Sequence, residues 1–270
     1  AGLLEGFRGW QTAFLLAALP GLPLAALALV LIKDPRAAMR AGARLPAQGP
    51  AAPDAPSWRA FVRANRTTLA ALWVAYPLVI ATIQGWLAWT PTFLIQEFSV
   101  DPARAGWAFG GALVLFGIPG ALAGGILTDR SFARGGGGAA IRVSIVAALA
   151  LAVCGGLAPF AGALMPTVAL IGAYFFFVNA MMIMPLLAMQ LITPPPVRAR
   201  MAAGLLLMQT VVGGGIGPTL VAALSEKAFG SMHGLGPSLA IVSATICPLA
   251  ALMLFAVRHR FARSIAQSTA

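Results

Sequence analysis

The chain has 270 residues, of which 60% are hydrophobic and only 9% charged, and its formal net charge is +11. A soluble domain carries about 25% charged residues, so this chain lacks the polar side chains to coat itself against water, and its exterior is expected to face lipid. The positive balance does not indicate a nucleic-acid partner, because Lys and Arg lie between the apolar runs and not in one patch with base-reading side chains.

Seven runs approach the roughly 20 apolar residues that a bilayer requires. They cover about Trp10 to Ile32, Thr68 to Ile95, Arg104 to Leu127, Ala140 to Ala161, Pro166 to Thr193, Arg200 to Leu224 and Pro237 to Val257. Their length and uniform apolarity predict helices, since barrel strands alternate and lipid leaves no other way to satisfy a spanning backbone. The expected fold class is an all-α membrane protein with a six-helix bundle preceded by one further span.

Charge supports that count. Lys33, Arg36, Arg40, Arg44, Arg59, Arg63 and Arg66 lie after the first run; Arg130, Arg134 and Arg142 after the third; Arg198 and Arg200 after the fifth; Arg258, Arg260 and Arg263 after the seventh. The opposite connections hold Arg8, Arg104 and Lys227. Positive charge stays inside, so the beginning of this chain is expected outside, its end in the cytoplasm, and the whole in a bacterial inner membrane.

Residues 34–66 interrupt the pattern with Pro46, Pro50, Pro53, Pro56 and several arginines, a composition that predicts a flexible cytoplasmic linker. Trp58 to Arg66 reads as a short amphipathic helix at the membrane surface. The expected organisation is one span over 1–33, the linker, a six-helix bundle over 67–258 and a cytoplasmic tail over 259–270. The first run has its basic cluster after it, the reverse of a signal peptide, so the chain reads as starting partway through a longer protein.

Within the six later runs, Gly117-Ile118-Pro119-Gly120 and Gly215-Ile216-Gly217-Pro218 occupy the middle helix of each successive triplet, which suggests a three-plus-three inverted repeat. Gly120 and Gly124, and Gly213 and Gly217 with Pro218, stand at the spacing that lets neighbouring helices approach closely. Static packing and a rocking interface both fit. Asp129-Arg130, with Arg134 beyond, ends the third run. It reads either as a latch made in one conformation and broken in another or as a solvated helix end. Gly135 to Gly138 lack the Gly-Lys-Ser/Thr of a phosphate loop.

Polar residues in the spans are few: Tyr76, Gln84, Thr90, Asn179, Gln190, Gln209 and Thr210. No charged side chain stands mid-membrane in the six later runs, so nothing there marks a proton relay. Gln84, Asn179 and Gln209, with Trp86 beside Gln84, are the candidate substrate contacts; interhelical hydrogen bonding is the alternative. His233 and His259 fall in opposite connections without ligand partners, Cys154 and Cys247 lie in apolar runs, and no metal site or cofactor is expected. Lys33 and Lys227 lie at helix ends, which excludes a Schiff-base pigment, and no intramembrane protease constellation is present.

These residues resemble the major facilitator superfamily. Gly9-Trp10-Gln11-Thr12-Ala13-Phe14 followed by Lys33-Asp34-Pro35 looks like the borders of its sixth helix, and the Pro/Arg-rich stretch like its central loop. Gly125 to Arg134 resembles its Gly-x-x-x-Asp-Arg gate motif, with Phe132 where a glycine is usual. Pro195-Pro196-Val197-Arg198 and Gly213-x-x-x-Gly217-Pro218 look most like the spinster-like branch, although Ala222 replaces a usual glycine. The resemblance implies the C-terminal half of a secondary transporter. Asp129, Arg130 and Arg198 would form its gate. Its partners would be membrane lipid, a small-molecule substrate, a coupling proton or ion, and the missing N-terminal half; the neutral, partly aromatic candidate contacts themselves favour an amphipathic or lipid-like solute over a bare ion. A non-transporting receptor or scaffold on the same fold is the alternative.

Overall fold

A computed structural model describes residues 9–31, 58–133, 138–230 and 234–269. The chain divides into two units, Ala1–Asp54 and Ala55–Ala270. The first contains α1 (Gly9–Ala18) and α2 (Gly21–Leu31). Sequence predicts one continuous helix here, and the structure corrects this: the helix breaks at Leu19–Pro20. Pro20 and Pro23 withhold two amide donors within one turn, and Gly21 adds backbone freedom between them. Most of the expected linker lies outside the described residues, as do Gly135, Gly136, Gly137, Arg134 and His233.

The second unit consists of α3 (Trp58–Ala64), α4 (Arg66–Phe98), α5 (Pro102–Ala133), α6 (Ala139–Leu157), α7 (Leu164–Met181), α8 (Met184–Ile192), α9 (Pro195–Met208), a π-helical stretch (Gln209–Ile216), α10 (Gly217–Phe229) and α11 (Leu235–Thr269). Six stretches are long and apolar enough to cross a membrane: α4, α5, α6, the α7–α8 span, the α9–α10 span and α11. No strand occurs among the described residues.

Local chemistry explains the punctuation. Asp101 caps α5, its Oδ1 accepting from the Arg104 amide at 3.0 Å. Proline opens α5 and α9, where a missing N–H costs nothing. Pro185 cannot donate to the Met181 carbonyl, and the α7–α8 span breaks just there, at Met182–Ile183. Gly230, with φ of 67°, closes α10 in the left-handed region.

Sequence ends the last span near Val257, yet α11 runs on to Thr269. Arg258, His259, Arg260 and Arg263 mark the end of the apolar stretch, not of the helix, since arginine is a good helix former. Two bonds hold this extension to the start of α4: Arg260 Nη1 to Thr67 Oγ1 at 2.9 Å and Ser264 Oγ to Asn65 Oδ1 at 2.8 Å. Beside it, α3 buries Phe61 and leaves Trp58 exposed.

Candidate functional site

Two glycine seams organise the bundle. In the first, α5 lies on α7: a methyl group on Gly120 or Gly124 would overlap the backbone of Phe176 or Ala180. In the second, α4 lies on the α9–α10 span. A methyl on Gly217 would overlap the Ala81 carbonyl, one on Gly213 the Ile80 side chain, and one on Gly85 would lie 2.9 Å from Val221 Cγ2. Residue numbers rise together across each seam, so both pairs are parallel. Exchanging the first triplet (α4, α5, α6) with the second (α7–α8, α9–α10, α11) carries one seam onto the other. It also carries the contact of α4 with α11 onto that of α7 with α6. The fold is therefore a three-plus-three inverted repeat.

Behind the seams stands a frame of buried hydrogen bonds. Trp86 Nε1 donates to Ser243 Oγ at 2.8 Å, and its ring lies 5.3 Å from that of Tyr174. Tyr174 Oη donates to Thr82 Oγ1 at 3.4 Å, and Thr82 donates to the Val79 carbonyl at 2.7 Å. Tyr76 Oη and Ser144 Oγ are 2.9 Å apart. Because Ser144 already gives its proton to the Ala140 carbonyl at 2.8 Å, Tyr76 is the donor in that pair. The frame ties α4 to α6, α7 and α11. Cys247 is buried and Cys154 half-buried, and both are free thiols.

The candidate contacts fall in different places. Gln84 is half-buried on the second seam, its amide 3.9 Å from where a methyl on Gly214 would stand. Gln209 opens the π stretch, with its amide nitrogen buried and unpartnered among the described residues. Asn179 lies on the first seam against Gly117, and its Nδ2 donates to the Phe175 carbonyl at 2.8 Å. Trp86 does not join them. It is 1% exposed and belongs to the frame; two residues after Gln84, it sits on the other side of α4. Trp89 does reach the second seam, donating to the Pro218 carbonyl at 2.9 Å.

Asp129 and Arg130 are exposed at the end of α5, and Arg198 is exposed in the first turn of α9. Arg198 Nε donates to the Thr193 carbonyl at 3.3 Å, and among the described residues nothing pairs with Asp129 or Arg130. Their helix end is anchored by Thr128, which donates to the Gly124 carbonyl at 2.7 Å and lies 3.6 Å from Met184 Sδ at the start of α8.

Sequence reasoning passes over Trp73. Its ring packs on Gly204, and its buried indole nitrogen has no partner among the described residues. The available signal is its position four residues before Pro77, where the carbonyl of Trp73 loses its helical donor.

Burial divides the spans unequally. In the most apolar stretch of α4, 67% of residues are buried, against 22% in α5 and 22% in the α9–α10 span. The two middle helices of the repeat thus each keep a broad apolar face free of contact within this bundle, with Trp107, Val114, Leu115 and Ile118 exposed on α5.

With this geometry in place, the family follows. Residues 1–201 match the family model of the Major Facilitator Superfamily, and the chain belongs to that superfamily. It is an integral, multi-pass membrane protein. Its fold is that of a bacterial homologue of the human lysosomal transporter Spinster, solved in inward-facing occupied and unoccupied conformations. Sequence identity is 17% to both, with TM-scores of 0.50 and 0.51. The alignments cover 98% of this chain and 58% and 62% of those proteins, so the chain spans about three-fifths of their length. No curated protein sequence matches it.

Proposed function

We propose that this bundle is the C-terminal half of a secondary transporter of the spinster-like branch, which carries a small organic solute across the membrane by alternating access. The observation that carries the reading is the pair of glycine seams. Backbone rests on backbone at the same place in each triplet, and the two middle helices keep free faces where a second six-helix half would pack. Helices that touch through glycine hold few interlocked side chains, so tilting one against the other breaks few contacts. Residues lining both halves would then open to one side of the membrane or the other.

In this scheme Gln84, Asn179 and Gln209 meet the solute from the seams, while Trp86 holds the frame that positions them. Asp129 and Arg130 end the helix that would rock, and Arg198 starts its symmetry mate's side of the bundle, so these three form the cytoplasmic latch. The basic connections lie in the cytoplasm and the membrane is the bacterial inner membrane. A proton or ion supplies the driving force.

Flux of solutes into liposomes holding the full-length protein, with an imposed pH gradient, tests the reading. Gradient-dependent uptake of at least one member of a broad solute panel is expected. Saturable solute binding without flux would replace a transporter with a receptor on the same fold.

A further inference from the structure

We propose that α3, the start of α4 and the extension of α11 together form a docking surface for anionic phospholipid headgroups in the leaflet at that end of the bundle. This goes beyond the transport reading and does not rest on it.

Side-chain bonds fix the surface. Arg260 Nη1 donates to Thr67 Oγ1 at 2.9 Å, and Ser264 Oγ donates to Asn65 Oδ1 at 2.8 Å. Asn65 in turn donates from Nδ2 to the Phe61 carbonyl at 3.2 Å, which ties the junction of α3 and α4. Phe61 and Phe261 are buried and belong to the main core. The arginines stay outside: Arg59, Arg63, Arg66, Arg260 and Arg263 are all exposed. Arg66 is the residue before Thr67, so its Cα lies within about 9 Å of Arg260 Nη1, one Cα step of about 3.8 Å added to the threonine side chain and the bond. The single acid on these three helices is Glu97, at the far end of α4. Like charges are thus held together with no counter-charge on the elements that carry them.

Arg258 sets the depth of this surface. Its guanidinium carbon lies 3.5 Å from the centre of the Phe255 ring, and that ring is exposed in the last apolar turn of α11. A cation folded back onto an exposed ring at the end of an apolar stretch keeps its stem on hydrocarbon and its charge in the polar layer. At about 1.5 Å per residue, Arg260 stands about 3 Å and Arg263 about 7 Å further along the helix. The headgroup layer is about 5–7 Å deep on each side of the hydrocarbon, so Arg260, Arg263 and, through Thr67, Arg66 stand at the level of the lipid phosphates. Trp58, exposed at the start of α3, is of the residue type favoured in that layer. A guanidinium meets a phosphate with two parallel N–H donors, and a cluster of four to eight basic residues beside a span is the composition that holds anionic lipid. Depth within the headgroup layer is what favours a lipid over a soluble polyanion.

Native mass spectrometry of the full-length protein, titrated with one lipid at a time, reads the dissociation constant of the first lipid bound. The probes are phosphatidylglycerol, phosphatidylcholine with the same chains, and glycerophosphoglycerol, the anionic headgroup without chains. Phosphatidylglycerol should bind at least about fivefold more tightly than phosphatidylcholine, the worth of one arginine at an anionic surface. The double variant Arg66→Gln with Arg260→Gln should lose that preference, while glutamine keeps an N–H donor for Thr67. Arg66→Gln alone, which breaks no bond, should lower the preference in part. Arg142→Gln with Arg200→Gln removes two other exposed arginines from the same end of the spans and should leave the preference largely intact. Equal binding of the two lipids, or an unchanged preference in the first double variant, would overturn the surface. An equal loss in both double variants would assign the attraction to the diffuse charge of that whole end and overturn it as well. Displacement of phosphatidylglycerol by a comparable concentration of glycerophosphoglycerol would make the ligand a soluble phosphate and sink the lipid.

Discussion

Substituting Gly155 by alanine probes the frame behind the seams. A β-carbon there would stand 2.6 Å from Ser243 Oγ, 2.8 Å from Ser243 Cβ and 3.1 Å from Tyr174 Cε2. Carbon atoms rest about 3.5–4.0 Å apart, so α6 and α11 have to part by about 1 Å or Ser243 has to turn away. Either movement breaks the 2.8 Å bond from Trp86 Nε1. Overpacking costs about 1–3 kcal/mol, and an unpaired buried indole N–H about 1–3 more. Replacing a helical glycine by alanine returns about 1 kcal/mol. The net loss is about 3 kcal/mol at the centre of these ranges. The neighbouring Gly156 is the control: its nearest atom is Ala244 Cβ at 3.7 Å, ordinary contact, so Gly156→Ala should be neutral or mildly stabilising. Thermal unfolding in detergent, followed by tryptophan fluorescence, compares the two. The double variant Gly155→Ala with Ser243→Gly should regain the packing part of the loss and not the hydrogen-bond part. Equal midpoints for Gly155→Ala and Gly156→Ala would refute the reasoning.

Ser144→Ala should cost more than Tyr76→Phe, about 1–3 against about 0.5–1.5 kcal/mol, because the first leaves a buried phenol without an acceptor while the second leaves Ser144 bonded to Ala140; chemical unfolding of both variants measures the order. Gly124→Ala and Gly217→Ala each press a methyl onto a main-chain carbonyl that cannot rotate aside, so each should lower stability by about 1–3 kcal/mol and slow flux. Near-wild-type flux in both would remove the seams from the transport cycle. Asp129→Asn should slow transport more than it weakens binding. Unchanged initial rates would make Asp129 an ordinary charge at the membrane border.

Lipid makes spans easy to read, because every spanning helix has to declare itself by about 20 apolar residues. The six long spans and their grouping into triplets are accordingly visible in composition and in the two Gly-Pro segments alone. Faces are harder. Trp86 looks like a neighbour of Gln84 on paper, yet two residues of helix turn the chain by about 200°, and the burial of Trp86 follows from that turn. The break at Leu19–Pro20 is legible in its prolines once they are weighed against hydropathy. The continuation of α11 to Thr269 is not legible, since hydropathy reports where lipid ends and says nothing of where a helix ends. The π stretch has no clear signal beyond Gly213-Gly214-Gly215, and the hydrogen bonds of Ser144 and Ser243 depend on which helices meet.

The π stretch has a consequence of its own. A helix is a counter: each residue advances the chain by about 100°, and a stretch wound with i→i+5 bonds holds more residues in its turns than an α-helix does. The stretch therefore sets how the residues from Pro195 to Met208 are rotated relative to Gly217. Deleting a single residue between Thr210 and Ile216, with no side chain of the seam altered, would rotate everything from Pro195 to Gln209 by about a third of a turn relative to Gly217. The glutamine would leave the seam, Gly204 would slide from under Trp73, and Arg198 would swing around the axis of the span. The orientation of one half of this span relative to the other is thus stored partly as a length.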